Sequence, residues 1–163
     1  MPDLRIAVIG DTHMPKGARR LPERCLELLA DADLIVHTGD FSERSVLAQL
    51  QDLGRVIAVH GNVDSDELRR ELPERITVDL GGAALGLVHD AGPARGRLER
   101  LRREFPEADA VVFGHSHMPL HERDGDFQIF NPGSPTERRR APAKTMGLGK
   151  LADGEVTFQH VEL

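Results

Sequence analysis

The chain contains no tryptophan and no tyrosine, and it has a single cysteine, Cys25. A lone cysteine cannot form an internal disulfide, and Cys25 lies in an apolar, helix-like stretch, which favours a reducing cytoplasm and a buried thiol without a catalytic role. Phenylalanine, with six copies, is the only large aromatic residue. Because base recognition commonly uses aromatic stacking surfaces, a specific nucleobase pocket is not expected.

Long hydrophobic runs and a surplus of basic charge are also missing. No segment approaches the roughly 20 apolar residues of a membrane span, and the apolar run Ile6–Ile9 follows no basic leader, so we expect neither membrane insertion nor secretion. The 27 acidic and 21 basic side chains give a formal net charge of −6. General coating of nucleic acid relies on a basic face, and this composition argues against it.

The 163 residues suffice for one compact domain, and we expect a single domain over residues 1–163. Short apolar runs at 4–9, 34–38 and 55–60 predict buried parallel strands, with helices at 21–30 and 43–53 between them. Further on, the pattern predicts hairpins over 76–89, 120–130 and 144–161, a helix at 94–105 and a strand at 110–113. Two sheets with helices outside fit this order.

Polar side chains follow the apolar runs, where the site of an open α/β sheet forms. They are Asp11, His13, Asp40, Asn62, Asp64, His89, His115 and His117. Carboxylate, imidazole and carboxamide groups suit Mn²⁺, Fe²⁺, Zn²⁺, Ni²⁺ or Mg²⁺, and the lack of thiolates argues against a structural zinc knuckle. Any one of these motifs alone is more often a turn or a structural histidine. Their recurrence after five successive runs predicts a metal site.

Spacing and glycines support this prediction. The i, i+2 spacing of Asp11 with His13, and of His115 with His117, places each pair on one side of an extended segment. A glycine precedes Asp11, Asp40, Asn62 and His115. These glycines predict tight turns and a close backbone approach.

Together, the motifs Asp11-x-His13, Gly39-Asp40, Gly61-Asn62, His89 and Gly114-His115-x-His117 resemble the signature of the calcineurin-like metallophosphoesterase superfamily. With Asn131-Pro132-Gly133-Ser134, they resemble its small YfcE-like phosphodiesterase branch, and the resemblance covers nearly the whole chain. It implies an α/β fold, a four-layer α/β/β/α sandwich of two facing mixed sheets flanked by helices.

The resemblance also implies the roles of the polar residues. Asp11, His13 and His117 would bind one metal, Asn62, His89 and His115 a second, and Asp40 would bridge them. Mn²⁺ is the first choice for both ions, with Ni²⁺, Mg²⁺, Fe²⁺ or Zn²⁺ as alternatives. A hydroxide bridging two such ions would attack a small phosphoester substrate in line, and a phosphodiester is the leading candidate. Catalytic roles then fall on Asp40, on Asn62 as an amide donor toward a phosphate oxygen, and on Asp64.

Two positions nearby depart from the family pattern, and a third keeps two interpretations. Asp64 either orients a neighbour of the ligands or caps a helix that starts near Ser65. Many superfamily members have a histidine after the Gly-Asn pair as a general acid, whereas this chain has Val63 there. Ala91 occupies the position where close relatives carry a second imidazole. The proton donor is therefore unassigned, and we expect esters with acidic leaving groups to be cleaved best.

Several other polar residues keep alternative interpretations. We expect His37 to support the site from within the second strand, and His60, His121 and His160 to be structural. The basic run Arg138–Arg140 either captures phosphate or is a solvated loop or dimer contact.

The function itself also has alternatives. A related fold serves as a non-catalytic scaffold subunit in the retromer coat, and a phosphomonoesterase is a third candidate. Retention of all seven ligand positions argues against the scaffold. A homo-oligomer stays open, because the sequence does not indicate an oligomeric state.

Overall fold

The structure is a computed structural model that describes residues 2–163. The strands are β1 Leu4–Ile9, β2 Leu34–His37, β3 Val56–Ala58, β4 Arg75–Asp79, β5 Ala84–Val88, β6 Ala110–Val112, β7 Leu120–Asp124, β8 Phe127–Asn131, β9 Thr145–Ala152 and β10 Glu155–Glu162. The helices are α1 Glu23–Asp31, α2 Arg44–Leu53, α3 Asp66–Glu71 and α4 Arg97–Glu104, and a 3₁₀ turn covers Lys16–Ala18.

The strands form two mixed sheets of five. The first has the order β10-β9-β1-β2-β3, in which β1, β2 and β3 run parallel. The second has the order β4-β5-β6-β8-β7, in which β5, β6 and β8 run parallel. The three predicted hairpins are confirmed as the antiparallel pairs β4–β5, β7–β8 and β9–β10.

The two sheets face each other across an apolar core. Val8 and Val36 of the first sheet belong to the same buried cluster as Leu87, Val112 and Phe130 of the second. Alternate residues of β1 and β2 point the other way, because successive side chains of a strand lie on opposite faces.

Helices cover both outer faces. Ile9 and Ile35 of the first sheet pack with Cys25 of α1 and Leu47 of α2. On the second sheet, Val111 and Ile129 pack with Leu101 and Phe105 from α4 and its end. The predicted four-layer α/β/β/α sandwich is therefore confirmed.

Element ends differ from the sequence prediction by a few residues. β3 is shorter than predicted because its ladder with β2 ends where His37 pairs with Ala58. α4 begins only at Arg97, since Gly96 before it has a φ of 68°. The short α3 was predicted only as the helix near Ser65 in one interpretation of Asp64. None of the helices within residues 2–163 has the length and apolar composition that bilayer crossing requires.

Candidate metal centre

The predicted ligands lie just beyond the carboxyl ends of five strands, β1, β2 and β3 of one sheet and β5 and β6 of the other. Because the two sheets face each other, these ends meet at one edge of the sandwich. Two groups of potential ligand atoms result, each with all atoms within 4.8 Å of one another. They are Asp11, His13 and His117 in the first group, and Asp40, His89 and His115 in the second.

Short distances join the atoms within each group. In the first group, His117 Nε2 lies 3.1 Å from His13 Nε2 and 3.7 Å from Asp11 Oδ1. In the second group, His89 Nε2 lies 3.1 Å from Asp40 Oδ2 and 3.3 Å from His115 Nδ1.

Asn62 and Asp40 connect the arrangement. Asn62 Oδ1 is 3.1 Å from His89 Nε2, which adds the carboxamide to the second group. Asp40 Oδ2 lies 3.1 Å from His89 Nε2 and 3.6 Å from His13 Nε2, so a single oxygen approaches both groups. Its other oxygen, Oδ1, accepts the Val63 N–H at 3.0 Å.

The donor set fits divalent cations. Two imidazole nitrogens 3.1 Å apart, beside a carboxylate oxygen, direct their lone pairs into one small volume. Asp11 Oδ2 is buried and makes no hydrogen bond to any residue in 2–163. A buried carboxylate oxygen without a partner is costly, and a cation at this position would satisfy it. Oxygen and imidazole ligands suit first-row divalent ions and Mg²⁺.

Burial shifts the pKa values of several of these groups. Burial raises the pKa of Asp11 to about 7, and burial followed by the charge of Arg139 lowers the pKa of His117 to about 4. Burial opposes charge on Asp40 and His89 as well. Their mutual hydrogen bond and attraction nevertheless lower the pKa of Asp40 and raise that of His89. Without a cation, the first group therefore disfavours its ionised carboxylate.

At five of the seven predicted ligands, the backbone is left-handed and not extended. Positive φ angles occur at Asp11 (53°), His13 (46°), Asp40 (61°), His115 (75°) and His117 (62°). The expected extended backbone of the two i, i+2 pairs is therefore wrong, although Asp11 and His13 do lie in one ligand group as the spacing predicts. His115 and His117, both with positive φ, enter different groups.

The glycines allow the close approach that was predicted. A β-carbon on Gly61 would overlap Asp40 Oδ1, and one on Gly114 would come within 2.7 Å of Thr38 Oγ1 and 3.0 Å of Asp11 Oδ2. Both positions therefore require glycine for the ligand loops to converge.

Asp64 braces the ligand loops and does not cap a helix. Its Oδ2 accepts the N–H groups of Asp40 (3.0 Å) and Gly61 (2.6 Å), and its Oδ1 accepts that of Ser42 (3.0 Å). The cap of α3 is Ser65, whose hydroxyl accepts the Leu68 N–H, so the helix-cap interpretation of Asp64 is wrong. These contacts indicate that Asp64 positions the ligand loops. A direct catalytic role of Asp64 stays a prediction.

The Asn131–Ser134 motif holds the first ligand loop. Ser134 Oγ donates to the carbonyl of Asp11 at 2.8 Å, and Asn131 Nδ2 donates to the carbonyl of Gly114 at 3.3 Å. Thr136, which carried no sequence signal, donates to the carbonyl of Thr12 at 2.8 Å. The end of β8 and the segment after it therefore fix the backbone of Asp11 and Thr12 in one ligand loop, and of Gly114 just before His115 in another.

The remaining histidines lie outside both groups. His37 bonds with Thr12 Oγ1 and the Gly39 N–H, beside the ligand loops. His121 Nε2 lies 2.8 Å from Gln128 Oε1, and His160 Nε2 lies 2.7 Å from the Asn131 carbonyl while its ring stacks on a phenylalanine. His60 lines a cavity of about 260 Å³ that also borders Asn62 and His89.

Sequence reasoning gave no indication of two further contacts at the site. Glu137 Oε2 lies 3.6 Å from His117 Nδ1. Arg69, on α3, donates to the carbonyls of Asn62 at 2.6 Å and Asp64 at 3.3 Å. Neither residue belongs to a motif, and only the fold brings them to the site. In the basic run, Arg138 donates to the Ala141 carbonyl at 3.0 Å, and phosphate capture stays a hypothesis.

Comparison with known proteins finds relatives in sequence and in fold. A probable metallophosphoesterase of Methanothermobacter thermautotrophicus is 34% identical over 156 residues, which is 93% of this chain and 90% of that protein. Phosphodiesterase YfcE of Escherichia coli is 29% identical, over 80% of this chain and 79% of its own length. Vacuolar Protein Sorting 29 of Cryptosporidium parvum shares the fold, with a TM-score of 0.78, 24% identity and coverage of 99% and 98% of the two chains.

The family model for the calcineurin-like phosphoesterase superfamily domain matches residues 4–154, a range that includes the ligand loops after β1, β2, β3, β5 and β6. The match, the relatives and the two-sheet fold agree with the resemblance in the motifs. The chain belongs to the calcineurin-like phosphoesterase superfamily, in its YfcE-like branch.

Proposed function

We propose that this protein is a metal-dependent phosphoesterase that hydrolyses small phosphodiesters with two divalent ions. The observation that carries the proposal is the convergence of two ligand groups on one carboxylate oxygen, Asp40 Oδ2. Two divalent ions, when bound, supply Lewis-acid charge that stabilises the negative charge developing in phosphoryl transfer. Mn²⁺ is our first choice, and the lone buried Cys25 supports a reducing cytoplasm as the location.

The residues of the chain would divide the work as follows. Asp11, His13 and His117 would hold one ion, and Asn62, His89 and His115 the other, with Asp40 between them. Because Asn62 Oδ1 faces His89, its amide nitrogen is the atom left to donate to a phosphate oxygen. Val63 N–H holds the other Asp40 oxygen, which fixes the direction of Oδ2.

The preference for diesters has its own support. The cavity of about 260 Å³ beside Asn62 and His89 offers space for a second ester group. The E. coli relative is named a phosphodiesterase. Val63, exposed by 48%, has no proton to donate to a leaving oxygen, which favours substrates whose leaving group needs none.

The test is hydrolysis of bis-p-nitrophenyl phosphate, whose p-nitrophenolate leaves without protonation. We expect turnover with added Mn²⁺ and loss of turnover with a chelator. His89→Ala removes a ligand and should lower kcat/KM by more than about 100-fold, since even indirect supports of a metal site cost 10–100-fold. His121→Ala is the matched control, because its ring contacts Gln128 away from the ligands. No turnover with any of Mn²⁺, Ni²⁺, Mg²⁺, Fe²⁺ or Zn²⁺ in the folded protein contradicts the proposal.

A non-catalytic scaffold on the same fold is the second candidate. The likeness to Vacuolar Protein Sorting 29 concerns the fold alone. Because one fold hosts different functions, this likeness supports the shared fold and not a shared role. A folded protein that lacks activity with every metal and binds a protein partner would identify this candidate.

A further inference from the structure

His117 presents its second ring nitrogen to the outside of the first ligand group. The side chain is almost fully buried, and Nε2 faces the group at 3.1 Å from His13 Nε2. The other nitrogen, Nδ1, must therefore point away from the ligands. Nδ1 is buried and has no hydrogen-bond partner within 3.5 Å among residues 2–163.

The carboxylate of Glu137 lies directly behind this nitrogen, with Oε2 at 3.6 Å from His117 Nδ1. Arg19 holds the same oxygen at 3.2 Å from its guanidinium, and the two paired side chains are only 21% and 31% exposed. The Glu137 N–H donates to Ser134 Oγ at 3.1 Å, and Ser134 Oγ donates to the carbonyl of Asp11. Glu137 is thus tied to the ligand loop through its backbone and its side chain.

His89 shows the same arrangement with a different partner. Its Nε2 faces the second group, and its Nδ1 lies 2.9 Å from the Thr38 carbonyl oxygen. A histidine that binds a metal commonly donates its other N–H to a carbonyl or carboxylate, which fixes the tautomer and raises the basicity of the ligating nitrogen. A carboxylate has the stronger effect because it is charged.

We propose that Glu137 is a positioning residue that accepts the Nδ1–H of His117 and thereby strengthens metal binding by Asp11, His13 and His117. The inference rests on the proposed metal site and deepens it. In this arrangement the proton stays on Nδ1, the lone pair of Nε2 faces the ion, and the negative charge of Glu137 adds to the attraction. Arg19 pairs with the same oxygen of this carboxylate and keeps it in place.

The test measures affinity for metals and not turnover. The full-length protein is stripped of metal, and Mn²⁺ and Zn²⁺ are titrated in competition with a chromophoric chelator. We expect Glu137→Ala to weaken one binding step by about 10–100-fold. Glu137→Gln should lose less, because its amide oxygen can still accept the Nδ1–H but carries no charge. Glu155→Ala is the control, since Glu155 is also paired with an arginine, at 3.1 Å, on a distant hairpin.

Urea unfolding of the metal-free variants separates positioning from a general structural role. Weaker binding with an unchanged unfolding midpoint supports the proposal. The proposal is overturned if Glu137→Ala and Glu137→Gln both bind the ions within twofold of the wild-type affinity. It is also overturned if binding weakens only in proportion to a loss of stability in both variants. If the wild type binds neither ion, the proposed metal site itself fails, which is a different result from equal binding by wild type and variants.

Discussion

Five of the seven predicted ligand residues have a left-handed backbone, a conformation that costs a non-glycine residue about 1–3 kcal/mol. Such strain persists only where other contacts hold the chain. Here the Asp11 N–H donates to the Gly39 carbonyl and the His13 N–H to the Asp40 carbonyl, both at 3.0 Å. The residue types at the site were predictable from the sequence, whereas their backbone was not, because aspartate and histidine are ordinary residues in extended loops.

His37 shows how burial fixes one protonation state at the residue scale. Its Nδ1 accepts the Gly39 N–H at 3.0 Å, so the proton must lie on Nε2, which faces Thr12 Oγ1 at 3.1 Å. The ring stacks on Phe41 with centroids 3.5 Å apart, and burial lowers the pKa of His37 to about 3. Protonation would place an added N–H against the Gly39 N–H.

We therefore expect His37 to remain the neutral Nε2–H tautomer in the metal-free folded protein at pH 5. In the unfolded chain, its pKa returns to about 6.5, so the unfolded state takes up the proton first. The stability that His37 contributes is then complete above pH 6.5 and declines by about 1.4 kcal/mol per pH unit as the pH falls from 6.5 toward 3. Imidazole ¹⁵N shifts measure the tautomer, and a His37 titration near pH 6.5 in the folded protein contradicts this prediction.

Asp64 is the second residue whose role can be tested alone. Asp64→Ala removes the acceptor of three N–H groups, those of Asp40, Ser42 and Gly61. Buried donors without partners cost about 1–3 kcal/mol each, and partial relaxation leaves an expected loss of about 2–4 kcal/mol in the free energy of unfolding. Metal affinity should fall as well, because Asp40 loses its support.

Urea unfolding and chelator competition measure the two effects. Asp126→Ala, at an exposed turn, is the control and should change stability by less than about 0.5 kcal/mol. Equal stability of the Asp64 and Asp126 variants would show that the bracing contacts contribute nothing.

At the scale of elements, strong patterns were predictable and weak ones were not. β1 has the predicted bounds, because its apolar run Ile6–Ile9 is continuous and buried on both faces. α3 was predicted only through a possible cap near Ser65 and not from its own pattern, because it is six residues long and polar on most sides, with Leu68 as its one buried residue. No helical periodicity can emerge from one apolar position, and only the Ser65 cap marks where α3 begins.

The segment between β8 and β9 shows a second limit of sequence patterns. Residues 132–144 contain neither helix nor strand, and a solvated loop was one interpretation of the basic run Arg138–Arg140 within them. The pattern did not indicate that this loop supports the site through Ser134, Thr136 and Glu137. These contacts depend on the tertiary fold. The contacts of Ser134 and Thr136 join residues more than 100 positions apart in the sequence.

At the scale of the whole molecule, the candidate metal centre joins the two halves of the sandwich. Asp11, Asp40 and Asn62 follow strands of the first sheet, whereas His89 and His115 follow strands of the second. The sheets otherwise meet through an apolar core. Two divalent ions would also bring the formal charge from −6 to about −2, which reduces the self-repulsion of an acidic chain.

Metal binding should therefore stabilise the entire fold. An ion that binds only the folded state adds about 2.7 kcal/mol when its free concentration is 100 times its Kd. For a chain of this size, that corresponds to a rise in Tm of about 5–10 °C. Differential scanning calorimetry with and without Mn²⁺ measures the shift, and excess chelator should reverse it.

Asp40→Ala is the informative variant, because Asp40 Oδ2 approaches both groups. Ligands from both sheets can share an ion only at this edge, where Asp40 lies. If Mn²⁺ raises the Tm of Asp40→Ala as much as that of the wild type, the ions bind elsewhere.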